Sequence, residues 1–349
     1  MESRRLLVYN YINAKCLDWA PVRQQLLLSL GTWTSLETVV AKSSTSNRTL
    51  RSELARLIES GFVIVKGSDE ARLDERYERD WEWDIRAGLF HLAIKDPPFM
   101  TEEEALVDLE SRIATRPVVE LHRGNADAGQ VVALPRPDTS HGLLGMLGRR
   151  RTRRKFSPEP LVADVLATIL YAGLGITGFI VDPMKGLGKV PLKMTPSGGA
   201  RNPYEGYVYA RRVAGVRVGL YHYSALEHTL GEVAVDNLPL PSEFVAGQSW
   251  ADTAAAVLIL VANFKRTMWK YSHPMAYRAV LIEAGHIAQN MMITAAVHGL
   301  STVPTAALND SLFERFLHLD RVMQAVVYVI GVGSVPTDSF DYGEYEPPG

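Results

Sequence analysis

Ala254–Phe264 reads AAAVLILVANF, an apolar run without a charged residue, and it constrains the fold more than any other segment. A stretch this short and this uniformly apolar is a strand covered on both faces. The chain must therefore supply two covering layers. Tyr277–His298 is one source: its apolar positions run nearly all round, which predicts a long buried helix. Gly206–Ala210 and Val218–Tyr223 read as a hairpin, Val303–Ala307 as extended, and Gln324–Gly331 as a second buried strand. Ser157–Pro160 starts a helix that continues to about Ala172. The class is mixed α+β with a largely covered sheet.

The remaining chain is ordinary globular material. Its 349 residues carry 37 Lys and Arg against 39 Asp and Glu, a net of −2, and 47% are hydrophobic, which excludes intrinsic disorder. Cys16 is the single cysteine, so neither an intramolecular disulfide nor a Cys-based metal site within one chain is possible. The first residues lack an uninterrupted apolar signal core, and Ala254–Ala262 is about half the length of a membrane helix. A soluble, cytoplasmic protein is expected.

The first seventy residues read as a small helical unit. Val22–Leu30 is followed by a break at Gly31, and Leu36, Val39 and Val40 mark a short second helix. Asn47 or Ser46 caps a third helix, in which Leu50, Leu54, Leu57 and Ile58 share a face. Gly61 ends it, and Phe62–Val65 reads as a short strand. Three helices and then a strand is the winged-helix order. Residues 1–68 hold nine Lys or Arg and five acids, and Arg48, Arg51 and Arg56 lie on the third helix. Asp69–Asp84, however, holds eight acids and three arginines, which favours a protein- or peptide-docking role over nucleic acid. WEWDIRAGLFHL (81–92) and Thr101–Ile113 are further helices, the second with Thr101 as N-cap and Glu102–Glu104 in its first turn. Leu134–His141 is a linker.

Several motifs carry possible chemistry. Gly173–Gly178 matches a dinucleotide fingerprint by letter, but a helix precedes it where a strand is required, so the glycines stop that helix. Glu283 and His286 have di-iron spacing without the second motif and the further glutamates such a site needs; a core Glu and His is the plainer reading. Arg149–Lys155, RRRTRRK, has six basic residues in seven. It fits a nucleic-acid patch, a solvated charge run, or an anion cradle of guanidinium forks with the Thr152 hydroxyl. Pro196–Pro203, PSGGARNP, offers backbone N–H groups to a flat polar ligand with no Cβ in the way. Lys270-Tyr271 sits between the central strand and the long helix, either as an ordinary element end or as a functional pair.

Four segments, RRRTRRKFSPEPL, TPSGGARNPYEGYVYA, GLYHYSALEHTLGEV and WKYSHPMAYRAVLIEAGHIAQNMMITAAVHGLSTVP, occur in register over about residues 140–335. Together they resemble the SagB-type dehydrogenases, a branch of the FMN-dependent nitroreductase superfamily; WEWDIRAGLFHL resembles the segment ahead of that family's flavin domain. The resemblance implies a central, mainly antiparallel sheet flanked by helices and a homodimer with an FMN at each end of its interface. The domains are then a winged-helix-like unit at 1–80, a helical connector and linker at 81–139, and the flavin domain at 140–349. It further implies that Arg150, Arg151, Thr152 and Arg154 hold the FMN phosphate and ribityl oxygens. Pro196, Ser197, Gly198, Gly199, Ala200 and Asn202 would contact the ring and ribityl chain. Pro304, Thr305 and Ala306 would face the N5 and O4 edge. Related reductases add a C-terminal basic residue at the phosphate, whereas Gly331–Gly349 contains no Lys or Arg.

Family members oxidise thiazolines or oxazolines in peptides, and the resemblance makes Lys270 the general base, with Tyr271 orienting it or shuttling the proton. O2 would reoxidise the flavin. The N-terminal unit would dock a peptide, a carrier-bound substrate or a partner enzyme. Two other functions fit parts of the sequence: an NAD(P)H-dependent nitro- or quinone reductase, and a flavin-containing DNA-binding regulator.

Overall fold

The structure, a computed structural model, describes residues 7–13, 15–18, 21–43, 46–117, 134–181 and 188–334. Most of Gly331–Gly349 and part of the 81–139 connector lie outside the described residues. A hairpin of β1 (Leu7–Tyr9) and β2 (Cys16–Asp18) precedes three helices, α1 (Pro21–Ser29), α2 (Leu36–Lys42) and α3 (Asn47–Glu59). Ser46 caps α3 by accepting the Thr49 N–H at 3.3 Å. Leu50 and Leu57 lie seven residues apart on one face and close a small core with Leu26 and Val39. Gly61, at φ +80°, ends the helix.

Phe62–Val65 corrects the sequence reading: it is irregular, not a strand. The Val63 N–H turns back to the Leu57 carbonyl at 3.1 Å, and Phe62 and Val63 pack onto the small core. Among the described residues the strands of this N-terminal unit stand ahead of its helices, so the winged-helix order of three helices and then a strand is not seen.

Next come α4 (Asp69–Asp80) and α5 (Ile85–Ala93), capped by Ser68 and Asp84. Trp81 and Trp83 lie between these two caps and enter the main core beside Phe264 and Tyr277. α6 (Glu102–Thr115) starts with a capping box in which Thr101 and Glu104 exchange hydrogen bonds. Leu134–His141 is irregular and exposed, followed by α7 (Gly142–Arg149).

The helix expected from Ser157–Pro160 begins later, as α8 (Ala163–Leu174). The Ser157 N–H is committed to the Ser334 carbonyl at 2.8 Å, and Leu161 exchanges hydrogen bonds with the Arg212–Ala214 segment. Gly175 caps α8, and the chain enters β3 (Ile176–Val181), paired with β4 (Lys189–Lys193). The 173–178 glycines thus follow a helix and lead into a strand, the reverse of a dinucleotide loop.

Six strands form the main sheet: β5 (Tyr204–Ala210), β6 (Gly219–Ser224), β7 (Thr229–Val233), β8 (Ala256–Asn263), β9 (Ser301–Thr305) and β10 (Gln324–Gly333). Their order is β7-β6-β5-β8-β10-β9, and every neighbouring pair is antiparallel. β8 is the covered strand expected, and its period of two divides it between two cores. Leu258, Leu260 and Ala262 face α8 and α12 (Ala276–Val297). Val257, Ile259 and Val261 face a second core around α9 (Pro241–Phe244), α10 (Trp250–Thr253) and α13 (Asp310–Phe316). A five-residue helix, α11 (Phe264–Met268), joins β8 to the segment bearing Lys270. Phe264 is fully buried; truncating such a side chain to alanine costs about 3–5 kcal/mol.

α12 is less enclosed than its composition predicts. Val280, Ala284, Ile287, Ala288 and Met291 are buried, while Ile282 is 52% exposed. By length and composition alone it could cross a membrane, yet it packs along α8, β9 and β10.

Candidate functional site

Arg150 ends α7 as its C-cap, and the basic run then follows the outer edge of the sheet. Thr152 forms a parallel bridge to Thr302 on β9, the edge strand, which also carries Pro304 and Thr305. Thr152 therefore sits beside the strand that leads to Pro304–Ala306. The Arg151 guanidinium returns to the Arg150 carbonyl at 2.9 Å. The Thr305 hydroxyl is engaged within the protein, accepting from Gln248 at 3.0 Å and from the Ala307 N–H at 3.1 Å. Burial pushes the Tyr328 phenol up while the Arg150 charge opposes it, which places the cradle beside β10.

Ala306 and Tyr328 both line a cavity of about 390 Å³, within the size range of small-molecule sites. Leu281, Ala284 and Gly285 form its α12 wall, and a Cβ on Gly285 would meet nothing within 4 Å. Its far wall comes from the N-terminal segment, with His91, Lys95 and Phe99. Burial holds His91 well below its usual range, so its ring is neutral between the Tyr277 hydroxyl (3.3 Å) and the Arg321 carbonyl (3.2 Å). Lys95 is buried and answered by Glu314 at 2.6 Å and the Arg321 carbonyl at 2.8 Å.

Burial raises the carboxyl of Asp310, which lines the same cavity from α13, to about 6; the Asp96 N–H hydrogen bond and the Lys95 charge oppose this, while the Asp96 and Glu314 charges add to it. A carboxyl raised in the folded state stabilises fully below its unfolded value and loses that contribution as pH rises through 6. Asp310→Asn should therefore unfold at a higher temperature than the parent at pH 7.5 and lose that advantage at pH 4. Melting curves across that range check it; an advantage independent of pH contradicts the assignment.

The second group of predicted residues is assembled elsewhere. Ser197–Asn202 is a tight loop between β4 and β5, with Gly199, Ala200 and Asn202 all at positive φ. The loop is closed by its own bonds. The Ser197 hydroxyl accepts the Asn202 N–H at 2.9 Å, and the Asn202 amide reaches the Pro191 and Ala200 carbonyls at 3.1 Å. The Gly198 N–H donates to Glu283 at 2.7 Å. This corrects the reading of the glycines. The Gly198 N–H is occupied within the protein, and a Cβ on Gly199 would collide with the Tyr271 hydroxyl and lie 2.7 Å from Lys270 Nζ. Gly199 makes room for the Lys-Tyr pair.

Lys270 and Tyr271 leave the end of α11, both N–H groups bonding the Thr267 carbonyl. Lys270 Nζ donates to the Gly199 carbonyl at 3.4 Å and lies 5.7 Å from the Tyr271 ring. Both side chains are exposed. The structure thus joins Lys270-Tyr271 to the Ser197–Asn202 loop.

Three residues were not assigned to this site from sequence. Glu283 is buried, pushed up by desolvation, and braces the loop through Gly198 and Ser197. The expectation of a core Glu and His holds for Glu283, which faces the loop, and is corrected for His286, which is exposed. Burial pushes Lys193 down to about 8, against Glu205 and Glu283, and it shares a small pocket with Ser197 and Asn202. Trp83 donates its indole N–H to the Tyr271 carbonyl at 2.6 Å. Nothing in local sequence pairs residues 188 positions apart.

α12 connects the two groups. Successive helix residues project about 100° apart, so Glu283 serves the loop while Ala284 and Gly285 line the cavity.

Comparison with known proteins places the chain in a family. MJ1384, a nitroreductase-type protein of Methanocaldococcus jannaschii, is 32% identical over 196 residues, 55% of this chain and 92% of its own. The trifolitoxin-processing protein TfxB of Rhizobium leguminosarum bv. trifolii is 29% identical over 175 residues, 49% of this chain and 46% of TfxB. The chain thus spans about half the length of TfxB. Among solved structures, the E. coli microcin synthetase McbBCD complex with truncated pro-MccB17 aligns at 21% identity and TM-score 0.43, over 68% of this chain and 95% of that one. The sequence model of the Nitroreductase family matches residues 147–334, the span that holds the basic cradle, the Ser197–Asn202 loop, Lys270-Tyr271 and α12. The chain belongs to the Nitroreductase family.

Proposed function

We propose that this protein is an FMN-dependent dehydrogenase of peptide maturation, which removes two electrons from a thiazoline, an oxazoline or a related unit in a peptide. The observation that carries this reading is Lys270, held at 3.4 Å from the Gly199 carbonyl with Tyr271 beside it. A reductase that only relays electrons from a nicotinamide needs no such paired base.

The residues fit the cofactor. Arg150, Arg151 and Arg154 with the Thr152 hydroxyl form a donor set suited to a phosphate monoester, and guanidinium forks match its oxygens. The cavity beside Ala306 and Tyr328 can take a flat ring system next to that cradle. FMN, when bound, accepts a hydride at N5 and passes its electrons to O2. The chain's own part is the proton: Lys270 takes it from the atom neighbouring the carbon that loses hydride, and the Tyr271 hydroxyl orients the amine.

A second copy of the chain completes the site in this reading. Cradle and loop stand on different elements of one chain, and Trp269, Met275 and Ile282 expose apolar surface along α11 and α12 near Lys270. That copy, with the cofactor, would supply the desolvation a lysine base requires. The processing role in TfxB's name supports a peptide substrate, which the N-terminal unit would dock.

The test is direct. FMN-loaded protein, a thiazoline-containing peptide and O2 should yield a product lighter by two hydrogens, with one H2O2 formed per turnover. Steady NAD(P)H oxidation with a nitroaromatic acceptor and no reaction of the peptide would replace this reading with that of a nitroreductase.

A further inference from the structure

We infer that Trp83 is a positioning residue for the Lys270-Tyr271 pair, so that the segment ahead of the family-matched span is a working part of the active site. The inference rests on the role proposed for Lys270.

Trp83 is only 3% exposed and is fixed at both ends: Trp81 closes α4 and Asp84 opens α5. Its ring packs edge-on against Trp81, Phe264 and Tyr277, with centroids 5.8, 6.2 and 6.0 Å away. One polar atom remains, the indole N–H, and it meets the Tyr271 carbonyl at 2.6 Å. An aromatic clamp that rigid defines where its single donor points.

The Lys270 and Tyr271 N–H groups return to the Thr267 carbonyl, and the Trp83 indole holds the Tyr271 carbonyl, so the backbone of the pair is tied on both sides of the peptide unit. From the opposite side the pair rests on Gly199, whose loop is braced by Glu283. The Lys270 amine is thereby set between an N-terminal indole and a loop glycine. A lysine on a free segment would sample many rotamers, whereas a tethered backbone limits them.

Trp81 provides a matched control. It lies in the same cluster, is also buried, and its indole N–H meets no partner among the described residues. Trp83→Phe and Trp81→Phe remove similar volume from one core, but only the first breaks the bond to Tyr271.

The experiment measures oxidation of the thiazoline peptide together with the rate at which Lys270 is acetylated by acetic anhydride, read by peptide mass spectrometry between pH 6 and 10. Trp83→Phe is expected to lower kcat about tenfold with KM within about twofold, and to change the acetylation profile of Lys270. Trp81→Phe should leave both readouts near the parent. If Trp83→Phe folds poorly, replacing Trp83 by β-(3-benzothienyl)alanine keeps the ring shape and removes only the N–H. Equal effects of Trp83→Phe and Trp81→Phe, or an unchanged Lys270 profile in the isostere, would overturn the inference. The acetylation readout needs no turnover. Should the base assignment fail, with Lys270→Ala fully active, the effect of Trp83 on Lys270 would still be measured separately.

Discussion

Lys270→Ala is expected to leave the protein yellow and folded while slowing peptide oxidation by about 10²-fold or more, the usual scale for losing a general base. The first half follows from position: Lys270 is exposed and leaves the end of α11, outside both cores and away from the Arg150–Arg154 cradle. The second half follows from chemistry, because hydride departure leaves a proton that the truncated side chain cannot take. Tyr271→Phe should slow the reaction less, since it keeps the ring and removes only the hydroxyl. Gly199→Ala should act in the same direction without substituting the lysine, because its Cβ would crowd both the Tyr271 hydroxyl and the Lys270 side chain. Stopped-flow reduction of the bound flavin by the peptide separates this step from reoxidation. Normal flavin reduction by Lys270→Ala would end the assignment.

Arg150→Ala and Arg154→Ala are expected to weaken FMN binding by about 10- to 100-fold each. A charge-assisted hydrogen bond contributes about 1.5–3 kcal/mol, and each 1.4 kcal/mol is a tenfold change in affinity. Affinity should fall with salt more steeply for the parent than for the variants, because part of the attraction involves partly exposed charges. Fluorescence titration of the apoprotein with FMN measures both. Parent-like affinity in both variants refutes the phosphate assignment, whereas lost flavin with unchanged melting of the apoprotein supports it.

Local patterning made the sheet and helices legible. β8 was legible in a run of ten apolar residues interrupted only by Asn263, and the structure covers it on two sides because alternate residues belong to different cores. Ser46, Thr101 and Gly61 were readable as helix ends because capping and positive φ are local requirements. Phe62–Val65 was misread because β-branched residues also suit an irregular segment that packs onto a helix. Ser157–Pro160 was misread because Ser157 and Leu161 bond to segments remote in sequence.

The site divides along the same line. The sequence by itself showed the candidate groups: a basic run, a glycine loop and a lysine beside a tyrosine. It also pointed to the central strand, since a short apolar run of that composition suits a strand covered on both faces. Only the tertiary structure decided who holds whom. Gly199 lies against Lys270 and Tyr271, Glu283 ties down the loop, and Trp83 reaches Tyr271 from 188 residues away. The reason is physical: composition and periodicity report burial and local backbone preference, whereas a hydrogen bond between distant residues depends on how whole elements pack.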